Sequence, residues 1–219
     1  MLFVCWSWKG GVGTSVVVAG LALAGHQAGS LVVDLAGDQA SLFGLSEPEG
    51  PDLTSWLLSP DAPVDGLPRL ERELTSGVSL LGAHPGVDPS PERQRLLAEV
   101  LGADRRLVVV DAGRLEPDGP IDPFVLALIG RADQALLVTR ACYLSLRRAA
   151  RAQPRPTGIV LCAEPGRALG ADDVAGAVGA PVVARVPVEP VVARMVDAGL
   201  LAGRPPRNLV GPLRSLARP

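Results

Sequence analysis

A glycine-rich loop lies between a short apolar segment and a long apolar segment near the start of the chain. Residues 2–15 read LFVCWSWKGGVGTS, and residues 16–24 read VVVAGLALA. The first segment is typical of a buried strand, because it is a short apolar run that a polar residue ends. The residues after Ser15 are apolar on every side, which is typical of a helix that is buried all round. Strand, glycine loop and helix, in this order, predict a phosphate-binding loop.

The composition of this loop predicts a nucleotide phosphate site. Its glycines let the backbone turn tightly and direct N–H groups at phosphate oxygens. The first turn of the helix adds its dipole, and the hydroxyl of Ser15 takes the position that binds Mg²⁺ in phosphate-binding loops. The residues predicted to contact nucleotide here are Gly10, Gly11, Val12, Gly13, Thr14 and Ser15.

Strands and helices alternate along the rest of the sequence. This alternation predicts right-handed βαβ units and an α/β fold, a doubly wound and mostly parallel sheet flanked by helices. Aromatic residues make up only 3% of the chain, so the core must consist largely of Val, Leu and Ala, which suits buried parallel strands. No repeat or long linker divides the sequence, and residues 1–219 are expected to form a single P-loop domain. Apolar runs that predict further strands lie at 31–34, 78–81, 107–111, 135–139, 157–162 and 181–186.

Two acidic residues end apolar strands at the predicted carboxyl edge of this sheet. Asp34 ends the run at 31–34, and Asp111 ends the run at 107–111. Ligands of open α/β sheets bind at this edge, so we expect both carboxylates beside the glycine loop. Mg²⁺ keeps several waters and takes few protein ligands. The predicted metal site is therefore Ser15, with Asp34 and Asp111 acting mostly through water; a helix cap at a strand end is the alternative interpretation of Asp111.

Composition excludes several classes of protein. The net charge of −2 excludes a globally basic nucleic-acid-binding protein. The three cysteines are far apart, which predicts neither a disulfide framework nor a metal site and favours a reducing compartment. No signal peptide is predicted, and the longest apolar run, at 16–24, is far shorter than the ~20 residues of a membrane span. We therefore expect a cytoplasmic protein.

Motifs along nearly the whole chain resemble those of the ParA/MinD ATPases. The segment KGGVG at 9–13 resembles the deviant Walker A motif, whose signature lysine lies at the start of the loop. Asp34 resembles the acid of the family's second strand, and Asp111 resembles the Walker B acid. The resemblance implies ATP and Mg²⁺ as cofactors. Further segments that resemble family motifs lie at 132–139, 144–147 and 186–190.

The resemblance also implies how nucleotide is held. In the family, the loop lysine reaches across a dimer that sandwiches ATP. Lys9, the single lysine of the sequence, is therefore the predicted catalytic residue, acting on the phosphates of the other subunit of a homodimer. The ends of two later strands lie beside the adenine in the family. The residues predicted to contact adenine are Cys162, Pro187 and Val188.

Thr14 is similar to the residue found in one branch of the family. It stands where the family's loop has a second lysine, and such a loop resembles that of the CpaE/TadZ proteins, the ATPases of Tad (Flp, type IV) pilus systems. This branch implies a protein that positions or assembles a pilus together with a protein partner. It also implies the bacterial cytoplasm, with recruitment by the partner to a cell pole or to the inner-membrane face.

Other positions depart from the family's pattern and predict slow or vestigial ATP hydrolysis. Ala36 stands where the family's Asp-x-Asp motif has its second acid, and Asp38, two residues further on, is an open alternative. After Asp111 the chain reads AGR instead of x-Pro-Pro. A second lysine and a water-positioning acid both stabilise the transition state of phosphoryl transfer. The leading prediction is therefore an ATP-dependent dimerising switch that turns over slowly.

Two other functions stay open. One is ParA-like partition of DNA or cargo, in which arginines near the end of the chain bind phosphates in a salt-dependent way. The favoured interpretation of these arginines is a solvated surface without a DNA partner. The other is a scaffold that does not hydrolyse ATP. No membrane insertion is expected, because residues 208–219 contain glycine and prolines and lack an aromatic anchor. The arginines concerned are Arg194, Arg204, Arg207, Arg214 and Arg218.

Overall fold

The computed structural model describes residues 1–46 and 50–218. The strands within them are β1 (Leu2–Ser7), β2 (Ser30–Asp34), β3 (Arg72–Thr75), β4 (Val78–Gly82), β5 (Leu107–Arg114), β6 (Gln134–Arg140), β7 (Gly158–Ala163) and β8 (Val182–Pro187). The α-helices are α1 (Thr14–Gly25), α2 (Gln39–Leu42), α3 (Leu53–Leu58), α4 (Pro91–Ala103), α5 (Pro123–Arg131), α6 (Tyr143–Ala149), α7 (Ala171–Val178), α8 (Pro190–Asp197) and α9 (Arg207–Val210). Short 3-10 helices lie at His26–Ala28, Val64–Leu70 and Gly211–Leu213.

The strands form one sheet in the order β3-β4-β2-β5-β1-β6-β7-β8. Neighbouring strands are parallel except for β3, which runs antiparallel to β4. Alternate residues of β1 belong to two separate core clusters, with Leu2 and Val4 in one and Phe3 and Cys5 in the other. Both faces of the sheet are therefore buried under helices, which confirms the predicted α/β class.

The register of the central strands brings the two strand-end acids together. Asp34 on β2 is the direct partner of Asp111 on β5, and Asp111 is in turn the partner of Cys5 on β1. The glycine loop follows β1 at this same edge. The sheet thus places both acids beside the start of α1, as the sequence predicts for parallel strands.

Strand β3 was not predicted from the sequence. It reads RELT, and only Leu74 is buried, so it lacks the apolar run that identifies the inner strands. It lies at the edge of the sheet, where charged residues protect the free side of the strand from pairing. Within the stretch 35–77, which the sequence suggests is loose, the residues at 52–58 predict one short amphipathic helix, and α3 confirms it. Helix α2 was not predicted; residues 47–49 lie outside the described residues.

Two predicted helices have different bounds in the structure. The sequence at 144–152 predicts a helix, and in the structure α6 ends at Ala149, where the Arg155 guanidinium donates to the carbonyls of Ala149 and Ala150. The sequence at 212–217 predicts a short helical turn, and in the structure the helical segment begins earlier, with α9, and continues into Gly211–Leu213; residue 219 lies outside the described residues. No helix in the described ranges is long and apolar enough to cross a bilayer.

Two glycines fix the end of α8 against the segment that follows α2. A Cβ on Gly199 would lie 2.6 Å from Cα of Gly44, and a Cβ on Gly44 would lie 2.5 Å from the carbonyl oxygen of Gly199. Both residues have positive φ, 70° at Gly44 and 63° at Gly199. Since α8 ends only two residues before Gly199, this backbone contact positions the end of α8.

Gly199→Ala is expected to lower the free energy of unfolding by about 2–4 kcal/mol, because alanine adds a left-handed strain and a backbone clash. The control is Gly176→Ala in α7, where a Cβ meets nothing within 4 Å and helix propensity should raise stability by about 0.5–1 kcal/mol. Urea unfolding of both variants measures the difference. Equal stability of the two variants would contradict the tight contact.

Candidate functional site

The glycine loop has the backbone geometry of an anion-binding turn. Gly11 and Gly13 have φ of 71° and 105°, which other residues rarely adopt, and Gly13 is the residue before α1. Val12 anchors the loop, because its side chain is buried and its carbonyl accepts from Nε of Arg140 at 3.4 Å. Cys162 lies beneath the loop: a Cβ on Gly13 would be 3.5 Å from its Sγ.

A cleft of about 550 Å³ opens in front of the loop. The backbone N–H groups of Gly13, Thr14 and Ser15 have no acceptor within residues 1–46 and 50–218. Unsatisfied donors at a helix start, together with its positive dipole, suit a phosphate group. The residues that line the cleft are Ser7, Gly10, Gly11, Gly13, Thr14, Ser15, Val16, Asp38, Ser41, Leu42, Gly113, Arg114, Val196 and Asp197.

The carboxylate of Asp34 is occupied by backbone donors. Its Oδ1 accepts from the N–H groups of Ala36 (3.0 Å) and Gly37 (2.8 Å), and its Oδ2 accepts from that of Gln39 (2.8 Å). Burial raises the pKa of Asp34, and these three hydrogen bonds act against the rise. Asp34 therefore holds the turn that leads into α2, and it does not line the cleft; its predicted role at the metal stays a prediction.

Asp111 is fully buried at the centre of the edge. Its Oδ1 accepts from the N–H of Gly113 at 3.0 Å, and its Oδ2 accepts from Nε2 of Gln39 at 2.8 Å. Burial is the main cause that raises the pKa of Asp111 to about 6, and the nearby charge of Asp34 adds to it, while the hydrogen bond from Gln39 opposes it. The fold thus buries the carboxylate of Asp111 at a place where no described cationic side chain balances its negative charge.

Gln39 connects the acids to the glycine loop. Its Nε2 also donates to the carbonyl of Ser15 at 3.0 Å, while its buried Oε1 has no hydrogen-bond partner in the described part of the chain. The hydroxyl of Ser15 donates to Oδ2 of Asp38 at 3.2 Å. Asp38 lines the cleft and Ala36 does not. The acid that lines the cleft and accepts from the loop hydroxyl is therefore Asp38, the residue that the sequence left as an open alternative.

These oxygens fit a hydrated Mg²⁺ ion. The Ser15 hydroxyl and the Asp38 carboxylate face the cleft, the Asp111 carboxylate lies behind them, and the unpaired Oε1 of Gln39 lacks a donor that a metal-bound water supplies. No group of three or more His, Cys, Asp or Glu side chains suited to a metal lies among the described residues. Mg²⁺ does not need such a group, because it keeps several waters and shares phosphate oxygens.

Lys9 lies outside the cleft of its own chain. Its side chain is half-buried, and it makes no ion pair or hydrogen bond with any described residue. It lies close to Cys142: burial acts to raise the pKa of that thiol, but hydrogen bonds with Ser145 and the charges of Lys9 and Arg167 lower it overall. The lysine is thus available to a group beyond its own phosphate loop.

The predicted adenine contacts follow β7 and β8 at the same edge of the sheet. Burial raises the pKa of the Cys162 thiol to about 11, so this thiol stays neutral. The N–H of Val188 donates to the carbonyl of Ala163 at 2.9 Å, which ties the chain after β8 to the end of β7. Cys162, Pro187 and Val188 do not line the cleft, and their contact with a base stays a prediction.

The sequence analysis did not identify Gln39, which lies buried behind the cleft, or Arg114 and Asp197, which line it. Gln39 had no motif to identify it. Arg114 was visible only as a departure from the family's Walker B pattern, and Asp197 lies on α8, whose position over the loop depends on the fold. A signal existed for Arg114 alone, since a charged residue three positions beyond a strand-end acid is expected near the ligand-binding edge of the sheet.

Solved structures with a similar fold include a ParA family ATPase and two proteins in complex with an adenine nucleotide. A ParA family ATPase from Chlorobium tepidum TLS has a TM-score of 0.77 and 22% identity, with 99% of this chain and 98% of that chain covered. MinD from Pyrococcus horikoshii OT3 in complex with Mg-ADP has a TM-score of 0.71 and 18% identity, with 99% of this chain and 94% of that chain covered. A variant of McdA from Cyanothece in complex with ATP has a TM-score of 0.67 and 19% identity, with 99% of this chain and 95% of that chain covered. No protein-family model and no curated protein matches this sequence.

The fold is therefore that of the ParA/MinD P-loop ATPases. The likeness extends over nearly the full length of both chains. Identities of 22% and below establish the fold alone. What the cleft does in this chain must follow from its own residues.

Asp111→Asn is expected to stabilise the ligand-free protein at pH 7 by about 1–2 kcal/mol, the energy of the pKa shift less one lost hydrogen bond. The pKa of Asp111 is raised in the fold, so its stabilising contribution is full below about pH 4 and is lost as the pH rises through about 6. Asparagine removes this loss, but its NH2 group replaces one of two oxygens that both accept hydrogen bonds, so one of the bonds from Gly113 and Gln39 is given up. Urea unfolding between pH 4 and 8 measures the effect, with Asp38→Asn, an exposed acid, as the control. An unchanged pH profile in Asp111→Asn would show that the buried acid costs nothing.

Proposed function

We propose that this protein is a nucleotide-dependent switch that binds Mg²⁺·ATP at the loop cleft and forms a dimer around it. One observation carries the proposal: the free N–H groups of Gly13, Thr14 and Ser15 face a cleft beside the Ser15 hydroxyl and a buried acid network. A polyanion with a bound cation satisfies both features at once. A purely structural turn would have no use for unpaired N–H donors next to the unpaired Oε1 of Gln39 and a buried carboxylate without a cation, as found in the described ranges.

The residues of the cleft divide the work between phosphate and metal. The loop N–H groups bind phosphate oxygens, and the Ser15 hydroxyl with the Asp38 carboxylate binds the hydrated cation. Asp111, held by Gln39, orients water around that cation from behind. Bound Mg²⁺ neutralises charge on the phosphates. The nucleotides in the MinD and McdA structures named above support ATP as the ligand.

The surface beside Lys9 supports a dimer across the cleft. Tyr143 and Leu144 at the start of α6 are 72% and 47% exposed, next to the Cys142 thiol that Lys9 approaches. Nη1 of Arg148 on α6 also donates to the carbonyl of Trp8, which ties α6 to the loop. Large exposed apolar side chains beside an unpaired lysine suit a protein interface better than a solvent surface.

Lys9→Ala is expected to abolish ATP-induced dimerisation and to leave ATP binding by the monomer within about threefold, because the lysine acts on the partner's phosphates. ATP titration with light scattering measures both. Arg131→Ala, which removes an exposed cation far from the loop, is the control. A Lys9→Ala variant that still dimerises on ATP contradicts the trans role.

The single lysine gives a second, independent readout of the same contact. An amine-reactive reagent can label only Lys9 and the terminal amine, and peptide mapping separates the two sites. ATP should protect Lys9 and leave labelling of the terminus unchanged. Equal labelling of Lys9 with and without ATP would place the lysine outside the dimer interface.

Hydrolysis is expected to be slow, well below the range of about 1–10³ s⁻¹ of typical enzymes. Thr14 provides no charge to the γ-phosphate, and Ala36 provides no carboxylate for the attacking water. Asp38→Asn should reduce the remaining turnover if Asp38 has taken over the role of position 36. Steady-state phosphate release measures both, and a wild-type rate inside the typical range contradicts the assignment.

A role in pilus assembly rests on the likeness of the loop to the CpaE/TadZ branch, and partition of DNA or cargo is equally compatible. The arginines that would bind DNA in partition are exposed, and none of them makes an ion pair within the described ranges. DNA binding that requires ATP and weakens with salt would favour partition; ATP-dependent dimerisation without DNA binding would favour a protein partner. The arginines are Arg194, Arg204, Arg207, Arg214 and Arg218.

A further inference from the structure

The cleft contains one cationic side chain. Among its lining residues within the described ranges, Asp38 and Asp197 are acids and Arg114 is the cation. Lys9 lies outside, and Arg140 is engaged in an ion pair with Glu164 at 2.6 Å. A triphosphate entering a cleft with two acids needs compensating charge, and the loop N–H groups supply only partial charges.

Strand β5 places Arg114 at the mouth of the loop. The strand continues three residues past Asp111, and the turn at Gly113, with φ of 64°, is closed by a hydrogen bond from its N–H to Asp111. Pairing with β1 shifts register between Cys5 and Ser7, so that Ser7 is the partner of Arg114. The N–H of Leu115 then donates to the carbonyl of Ser7 at 2.8 Å. The backbone of Arg114 is thereby fixed opposite the start of the loop.

The side chain of Arg114 lies against the glycine loop itself. Its Cδ is 3.6 Å, and its Nη1 is 4.0 Å, from the place where a Cβ on Gly10 would be. Thr14, which stands at the lysine position of the loop, is buried. Arg114 on β5 and Thr14 on α1 thus line the same cleft.

The present partner of Arg114 is easily exchanged. Its guanidinium pairs with Glu116, and the two side chains are 47% and 58% exposed. An exposed pair of this kind contributes about 0–1 kcal/mol, whereas a guanidinium binds phosphate through two parallel hydrogen bonds. The same side chain can therefore leave the carboxylate for a phosphate at little cost.

We propose that Arg114 supplies, within its own subunit, the phosphate-binding cation that Thr14 cannot provide. This inference rests on the proposed nucleotide function and adds a residue to it. Arg114 and Lys9 then act on phosphates from opposite sides, one in its own subunit and one in the partner. The arginine at the end of β5 thus compensates for the missing second lysine of the loop.

The test measures ATP binding by the monomer, in a Lys9→Ala background that removes the partner's lysine. Arg114→Gln is expected to weaken ATP affinity at least tenfold and adenosine affinity less than twofold, and to flatten the dependence of ATP affinity on NaCl. Arg114→Lys should retain part of the affinity, since it keeps the charge and loses the paired hydrogen bonds. Thr14→Lys added to Arg114→Gln should restore ATP affinity, which a loss of folding could not explain.

Arg131→Gln is the matched control, because it removes an exposed arginine that does not line the cleft; its ATP affinity should equal that of the parent. ATP affinity and salt dependence in Arg114→Gln that equal those of the parent overturn the role of Arg114 and leave the nucleotide function standing. A parent protein that binds no ATP overturns the nucleotide function itself. Thermal unfolding of each variant confirms that the fold is intact.

Discussion

The site depends on one side chain, Gln39, which joins three elements at the carboxyl edge of the sheet. Its backbone N–H binds Asp34 at the end of β2, and its side-chain amide binds Asp111 on β5 and the carbonyl of Ser15 on α1. Burial makes each of these hydrogen bonds worth more than it is in water, since none has water to replace it. The two acids and the loop therefore keep one relative position in the ligand-free protein.

The sequence was sufficient to predict the inner strands and the glycine loop, because both have strong local signals. Buried parallel strands are continuous apolar runs, and a turn with positive φ requires glycine. The edge strand β3 and Gln39 had no such signal: one is short and charged, and the other acts through partners 24 and 72 residues away. Contacts between residues so distant in sequence depend on the assembled sheet, which no window of sequence contains.

The departures from the family's motifs are concentrated around one space, and the structure gives them a common physical interpretation. Positions 14 and 36 have lost charged groups, while Asp38 and Arg114, which line the same cleft, carry them. A charge acts through its distance from the phosphate and not through its place in the chain. Asp38 in place of an acid at position 36, and Arg114 in place of a lysine at position 14, are able to preserve the electrostatics of the site. They do not preserve its geometry at the level that in-line attack of water needs, so binding survives such changes better than hydrolysis.

The same electrostatics couple metal to nucleotide. A buried acid whose pKa is raised to about 6 destabilises the ligand-free fold near neutral pH, and free N–H groups at the start of α1 leave its dipole uncompensated. A cation alone relieves the first cost but adds positive charge beside the helix start. A polyanion alone relieves the second but adds negative charge beside Asp38 and Asp111. Only the two together offset both, so under the proposed function each ligand should bind more tightly in the presence of the other, and the bound state is the one in which the cleft is electrostatically complete.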